Sequence, residues 1–108
     1  MQLIQNHIEV LKKQCEAHHV AKLYVFGSYV RNEQTEDSDL DLLVDFQDEI
    51  ELLNFADNYF SFLDDLQDLF RVRVDLVIQS SLKNPVLIDS INHTKKLIYE
   101  SERTKVSA

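Results

Sequence analysis

Along the chain, Ile4, Ile8, Leu11 and Cys15 recur at steps of four, three and four, which lays one apolar stripe along a first helix. That helix is expected to end near His18 and His19. AKLYVF follows, a run of strand formers that stops at the single glycine, Gly27. Then come a short helical patch, SYVRNE, and a polar loop, QTEDS. DLDLLVDF alternates strictly: Leu40, Leu42, Val44 and Phe46 share one face, and Asp39, Asp41, Leu43 and Asp45 share the other. From about Glu49 to Phe70 the helical period returns in Leu52, Ala56, Tyr59, Leu63, Leu66 and Phe70, widened by Phe55, Phe62 and Leu69. RVRVDLVI alternates again, with Val72, Val74, Leu76 and Ile78 against Arg71, Arg73, Asp75 and Val77. After the loop QSSLKNP, Pro85 opens a short helix VLIDSIN. KLIYE reads as a terminal strand or helix end, and SERTKVSA as a frayed tail.

Composition narrows what this pattern can serve. The chain has 108 residues, 44% of them hydrophobic, enough for one small core and one domain over residues 1–100, with 101–108 as a tail. Acidic residues outnumber basic ones 19 to 11, for a formal charge of −8, which opposes direct binding of long nucleic acid. No window approaches a membrane span, and MQLIQNHIEV lacks the basic head and apolar run of a leader. The lone Cys15 sits on the apolar stripe without a flanking base, so it reads as a buried thiol of a protein in a reducing cytoplasm. Neighbouring residues on a helix do not share a face, so His18 and His19 make a poor metal pair; His7 and His93 carry no usable signal. The acidic residues of the long helix, Asp57, Asp64, Asp65 and Asp68, read as a solvated face. Leu53 and Phe60 fall off its main stripe and mark a possible partner surface.

The charged strand faces are the unusual feature. Asp39 and Asp41 stand two apart on one face, where like charges at about 4 Å repel by about 4 kcal/mol at an effective dielectric near 20. Something positive should hold them together. If Asp75 joins them from a neighbouring strand, three carboxylates form a hard, oxygen-rich site suited to Mg²⁺ or Mn²⁺. A glycine directly after a strand and before a helical turn lets backbone approach an anion closely, so Gly27 with the Ser28 hydroxyl suits phosphate oxygens. Either feature alone is an ordinary turn or a decorated strand edge.

Together, Gly27-Ser28, ten residues, Asp39-Leu40-Asp41, and Asp75 within VRVDLVI resemble the signature of the DNA polymerase beta-like nucleotidyltransferase superfamily. In particular they resemble its minimal nucleotidyltransferases, and the likeness runs from the first helix through LIYE. The resemblance implies an α/β (α+β) fold, a small mixed β-sheet with helices packed on one side. It implies that Gly27 and Ser28 hold a nucleotide triphosphate with Arg31 near the phosphates. Asp39, Asp41 and Asp75 would be the catalytic and metal-binding residues, around two Mg²⁺ ions with Mn²⁺ as a substitute, and Asp75 would help deprotonate the acceptor. Relatives read Gly-Ser-x-Ala-x-Gly, whereas this chain has Val30 and Asn32 at the last two of those positions. Minimal members resemble antitoxins paired with HEPN ribonuclease toxins, which implies transfer of AMP from ATP to a tyrosine hydroxyl of such a partner. Two other readings stand beside it: an antitoxin-like module that inhibits by contact alone, and a transferase acting on a small molecule or an RNA end.

Overall fold

The computed structural model describes residues 2–31, 33–35, 37–48 and 52–102. The elements run α1 (Gln2–Asn6), α2 (Ile8–Ala17), β1 (Val20–Phe26), α3 (Ser28–Arg31), β2 (Leu40–Phe46), α4 (Leu52–Phe70), β3 (Val74–Ile78), a 3-10 turn (Gln79–Ser81), α5 (Pro85–Thr94) and β4 (Lys96–Glu100). The first helix is interrupted at His7, and β3 begins three residues later than the alternation of RVRVDLVI suggests. Arg71 takes a left-handed conformation (φ 60°) directly after α4, which turns the chain before it can extend. Asn32, the expected start of the long helix at Glu49, and the tail from residue 103 lie outside the described residues. Ser101, expected in that tail, is instead buried; its amide donates to Ala21 O at 2.8 Å and its hydroxyl accepts from Gln47 Nε2 at 3.1 Å.

The four strands form one mixed sheet in the order β3-β2-β1-β4. β1 lies antiparallel to β2 and to β4, and β2 parallel to β3. One face carries the core. Leu40, Leu42 and Val44 of β2 and Leu23 and Val25 of β1 are fully buried there, beneath Leu11 and Cys15 of α2 and Phe62 and Leu66 of α4. Burial pushes the Cys15 thiol far above its usual range, so it packs as a small apolar group. His18 closes α2 onto α4: its Nδ1 lies 2.8 Å from Gln14 O and must donate to it, while Nε2 lies 3.2 Å from Ser61 Oγ. Asn58 donates to His18 O at 2.8 Å.

α4 also covers the outer edge of β3. Gln67 Oε1 accepts from the Val74 amide at 3.1 Å, and the Tyr59 hydroxyl donates to Leu76 O at 2.6 Å. Both backbone groups are satisfied by side chains of α4, which blunts pairing of that edge with another strand.

The last helix lies across the opposite face. β4 runs parallel to β3, and the β2-α4-β3 and β3-α5-β4 connections cross the sheet in opposite directions, so two right-handed crossovers put α4 and α5 on opposite faces. Consistent with this, Lys95 at the end of α5 stands 4.3 Å from the ring centroid of Tyr24. Tyr24 pairs with Leu43, on the face away from the main core. Leu43 and Ile91 of α5 are both buried outside the main cluster. Asn84 caps α5, its Oδ1 accepting from the Val86 amide at 2.9 Å, with Pro85 in the first turn as expected. No helix among the described residues is long and apolar enough to cross a membrane.

Phe62 joins both layers of the core: it is fully buried and contacts the rings of His18 and Phe46 at centroid distances of 5.1 and 6.1 Å. Phe62→Ala should therefore lower unfolding stability by about 3–5 kcal/mol, read as a shift in urea midpoint at unchanged m-value.

Candidate functional site

Three chain segments end or begin at one end of the sheet: β1 ends at Phe26, β2 begins at Leu40 and β3 at Val74. The sheet register brings the aspartates of β2 and β3 together there. Asp41 pairs with Asp75 across the parallel β2-β3 ladder and with Phe26 across the antiparallel β1-β2 ladder. Asp39 precedes β2 by one residue and Arg73 precedes β3 by one. The Leu40 amide donates to Arg73 O at 2.9 Å, so the register continues outward and sets Asp39 beside Arg73. Their side chains form an ion pair, Arg73 Nε to Asp39 Oδ1, at 3.1 Å. One strand end thus presents a square of four charges: Asp39 opposite Arg73, and Asp41 opposite Asp75.

Gly27 lies against this square. It adopts φ +75°, and a Cβ built on it would overlap the Asp41 carboxylate at Oδ2. Glycine is required here twice, by the left-handed backbone and by the close approach of Asp41. Ser28 follows as the first residue of α3, whose turn is closed by the Val30 and Arg31 amides donating to Gly27 O at 3.1 and 3.3 Å. Val30 is half-buried against the main core. Arg31 Nε donates to Glu33 at 3.1 Å, and its charge is felt at Asp41.

The electrostatics follow from this layout. Burial raises the Asp41 carboxyl above its ordinary range, the charges of Asp75 and Asp39 raise it further, and Arg31 partly offsets them. The Tyr59 phenol is pushed up by burial and by the charge of Asp75, and its hydroxyl bonds Leu76 O, next to Asp75 in β3; its spacing alone marked it only as part of the apolar stripe. Arg73 is the other residue that the sequence did not assign to the site. The signal was present, since Arg73 and Asp75 share a strand face, but only the β2-β3 register shows that it meets Asp39.

Among the described residues, no group of three or more His, Cys, Asp and Glu side chains is gathered as a metal-holding cluster. Asp39 instead pairs with Arg73. The donor chemistry nonetheless suits a hard divalent cation: Asp41 and Asp75 are carboxylates in register with a net repulsion that a cation would relieve, and Asp39 adjoins them. Asp45 belongs to the opposite end of β2. It is half-buried and faces Lys22; burial raises its carboxyl, with Lys22 opposing. With Phe46, Phe55 and Ile78 it lines a separate cavity of about 230 Å³.

Two consequences are measurable. Gly27→Ala should destabilise the protein by more than about 1 kcal/mol in urea titrations, through the positive φ and the overlap with Asp41. Asp41 titrates from above its ordinary 3.8 when folded, so the folded state holds its proton more tightly than the unfolded chain does. Stability from this group is present below pH 3.8 and is lost as pH rises through the raised folded value. Asp41→Asn should therefore raise the urea midpoint at pH 7 in metal-free buffer, and that gain should vanish by pH 3.5.

A family model, Polymerase beta, Nucleotidyltransferase, matches residues 5–104. A protein of Methanocaldococcus jannaschii, named as a candidate protein adenylyltransferase, is 42% identical over 97 residues, covering 90% of each chain. The solved structure of a candidate minimal nucleotidyltransferase superposes with a TM-score of 0.72 at 33% identity, over 88% of this chain and 92% of that one. A chain from the complex of a tri-AMPylated HEPN toxin of Shewanella oneidensis with an MNT antitoxin superposes with a TM-score of 0.62 over 99% of this chain and 79% of that one. At 20% identity that last likeness shows the shared fold. The chain thus belongs to the polymerase beta nucleotidyltransferase family, as a minimal nucleotidyltransferase.

Proposed function

We propose that this nucleotidyltransferase moves AMP from ATP onto a hydroxyl, a tyrosine hydroxyl by preference, of a HEPN-type toxin partner, and so acts as its antitoxin. The observation that carries the reading is the Asp41-Asp75 pair in register beside the Gly27 turn. The adenylyltransferase name of the relative and the AMPylated toxin of the structural neighbour point to the same reaction. The exposed apolar residues Leu53 (90% exposed) and Phe60 (60% exposed) of α4 are compatible with a protein partner.

In this reading the turn at Gly27 and Ser28 receives the triphosphate, with Arg31 beside it. Asp39, Asp41 and Asp75 hold two Mg²⁺ ions, for which Mn²⁺ can substitute. Bound there, the metal would neutralise phosphate charge and steady the entering and leaving oxygens. The acceptor oxygen attacks the α-phosphorus, a new P–O bond forms to the partner, the bond to the bridging oxygen breaks and pyrophosphate leaves. Asp75, the more exposed of the in-register pair, takes the hydroxyl proton. The net charge of −8 favours a protein acceptor over an RNA one.

The pairing of Asp39 with Arg73 gives a second reading its one specific support: a chain that inhibits its partner by contact, with the carboxylates no longer used. Intact-mass spectrometry separates the two. The chain is incubated with ATP, Mg²⁺ and the product of the adjacent gene. The expected result is an added AMP on the partner, absent with Asp41→Asn although that variant still forms the complex. A stable complex without adduct from the unaltered chain would establish the contact-only reading.

A further inference from the structure

The square of charges at the strand ends contains one feature that the family signature does not account for. Asp39 is a proposed metal ligand, yet its Oδ1 lies 3.1 Å from Arg73 Nε. The pairing is built in by the sheet. Leu40 N donates to Arg73 O at 2.9 Å, and the register set by Leu40-Val74 and Asp41-Asp75 places Asp39 and Arg73 opposite each other on the same face. The other local cation is engaged differently: Arg31 pairs with Glu33 at 3.1 Å. Asp39 and Arg73 are 45% and 78% exposed at their side chains, so each can leave the other without opening the fold.

We infer that Arg73 is a positioning residue that holds the Asp39 carboxylate as an internal counter-ion, so that a divalent cation must displace the Arg73 guanidinium to recruit Asp39. The inference rests on the proposed role of Asp39 as a metal ligand and adds what that role leaves open: why the three carboxylates do not converge while two of them stand in register. Like charges at the head of two strands need a cation, and the chain supplies one itself. A divalent ion brings a higher charge and competes for the same oxygen, so the ion pair sets a threshold for metal loading. Because the pair is exposed, the threshold is low. Exposed ion pairs are worth about 0.2–1 kcal/mol, which converts to about a 1.4- to 5-fold change in affinity.

The test uses Mn²⁺ as probe, with free Mn²⁺ read by electron paramagnetic resonance on the full chain without nucleotide, so the readout is independent of activity. Arg73→Gln should tighten Mn²⁺ binding by about 1.4- to 5-fold, whereas Arg73→Lys, which keeps the cation, should tighten it less than Arg73→Gln does. Asp39→Asn should weaken binding. In the Asp39→Asn background, Arg73→Gln should have no further effect, because a double-mutant cycle isolates the pair. Arg73→Gln binding Mn²⁺ no more tightly than the unaltered chain overturns the inference. So does an equal tightening with and without Asp39, which would make Arg73 a general repulsive charge. If Asp39→Asn leaves Mn²⁺ affinity unchanged, the metal-ligand role of Asp39 itself fails and the inference falls with it, a pattern distinct from failure at Arg73 alone. All five proteins are compared by urea midpoint, and the cycle is read only on folded chains.

Discussion

Asp41 and Asp75 face each other across two parallel strands, and much of the molecule is arranged around that juxtaposition. Neighbouring strands lie about 4.8 Å apart, so two like charges stand side by side, and the charge of Asp75 helps raise the Asp41 carboxyl. The register that imposes this is enforced from the other side of the sheet. Leu40, Leu42 and Val44 are buried against α2 and α4, and slipping β2 by one residue would turn them into solvent. Apolar burial on one face therefore holds like charges together on the other. Partial compensation comes from Arg31, whose charge lowers the Asp41 carboxyl, and from Arg73, which pairs with Asp39. Gly27 makes room, since any side chain there would strike the Asp41 carboxylate.

The helices divide the work of supporting that end of the sheet. α4 supplies core through Phe62 and Leu66, and on its flank Tyr59 and Gln67 bond the exposed edge of β3. The strand carrying Asp75 is thereby fixed on both sides, by β2 and by α4. α5 crosses the opposite face, where Leu43 and Ile91 are buried and Lys95 covers Tyr24. The carboxylate-bearing face is consequently part closed and part open: apolar beneath α5, charged at the strand ends. That arrangement leaves the aspartates at the strand ends open to solvent, Asp75 exposed and Asp41 half-buried, while the centre of the sheet stays covered.

Much of this was legible in the chain because its signals are local. The alternation of DLDLLVDF sets the faces of β2, the period of Tyr59, Phe62, Leu66 and Phe70 sets the inner side of α4, and Asn84-Pro85 marks the start of α5. The mixed sheet and the nucleotidyltransferase class followed from the Gly-Ser turn, the Asp-x-Asp strand and the later VRVDLV. Other features were misjudged where a long-range contact overrides a local pattern. Leu43 sits on the polar face by alternation but is buried, since α5 arrives from fifty residues away. Ser101 looks like tail but is bonded to β1 and Gln47. RVRVDLVI looks like one strand, yet the left-handed turn at Arg71 delays it to Val74.

The sequence by itself determined which residues carry charge, which strand face each occupies, and that Gly27 precedes a helical turn, because side-chain period and backbone freedom are properties of neighbours along the chain. Only the tertiary structure decided which charges meet. The parallel register of β2 and β3 sets Asp41 against Asp75 and Asp39 against Arg73, and the turn between β1 and α3 brings Gly27 against Asp41. Register is a relation between segments separated by dozens of residues, fixed by the sum of apolar burial over the whole core. No short stretch of the chain encodes it.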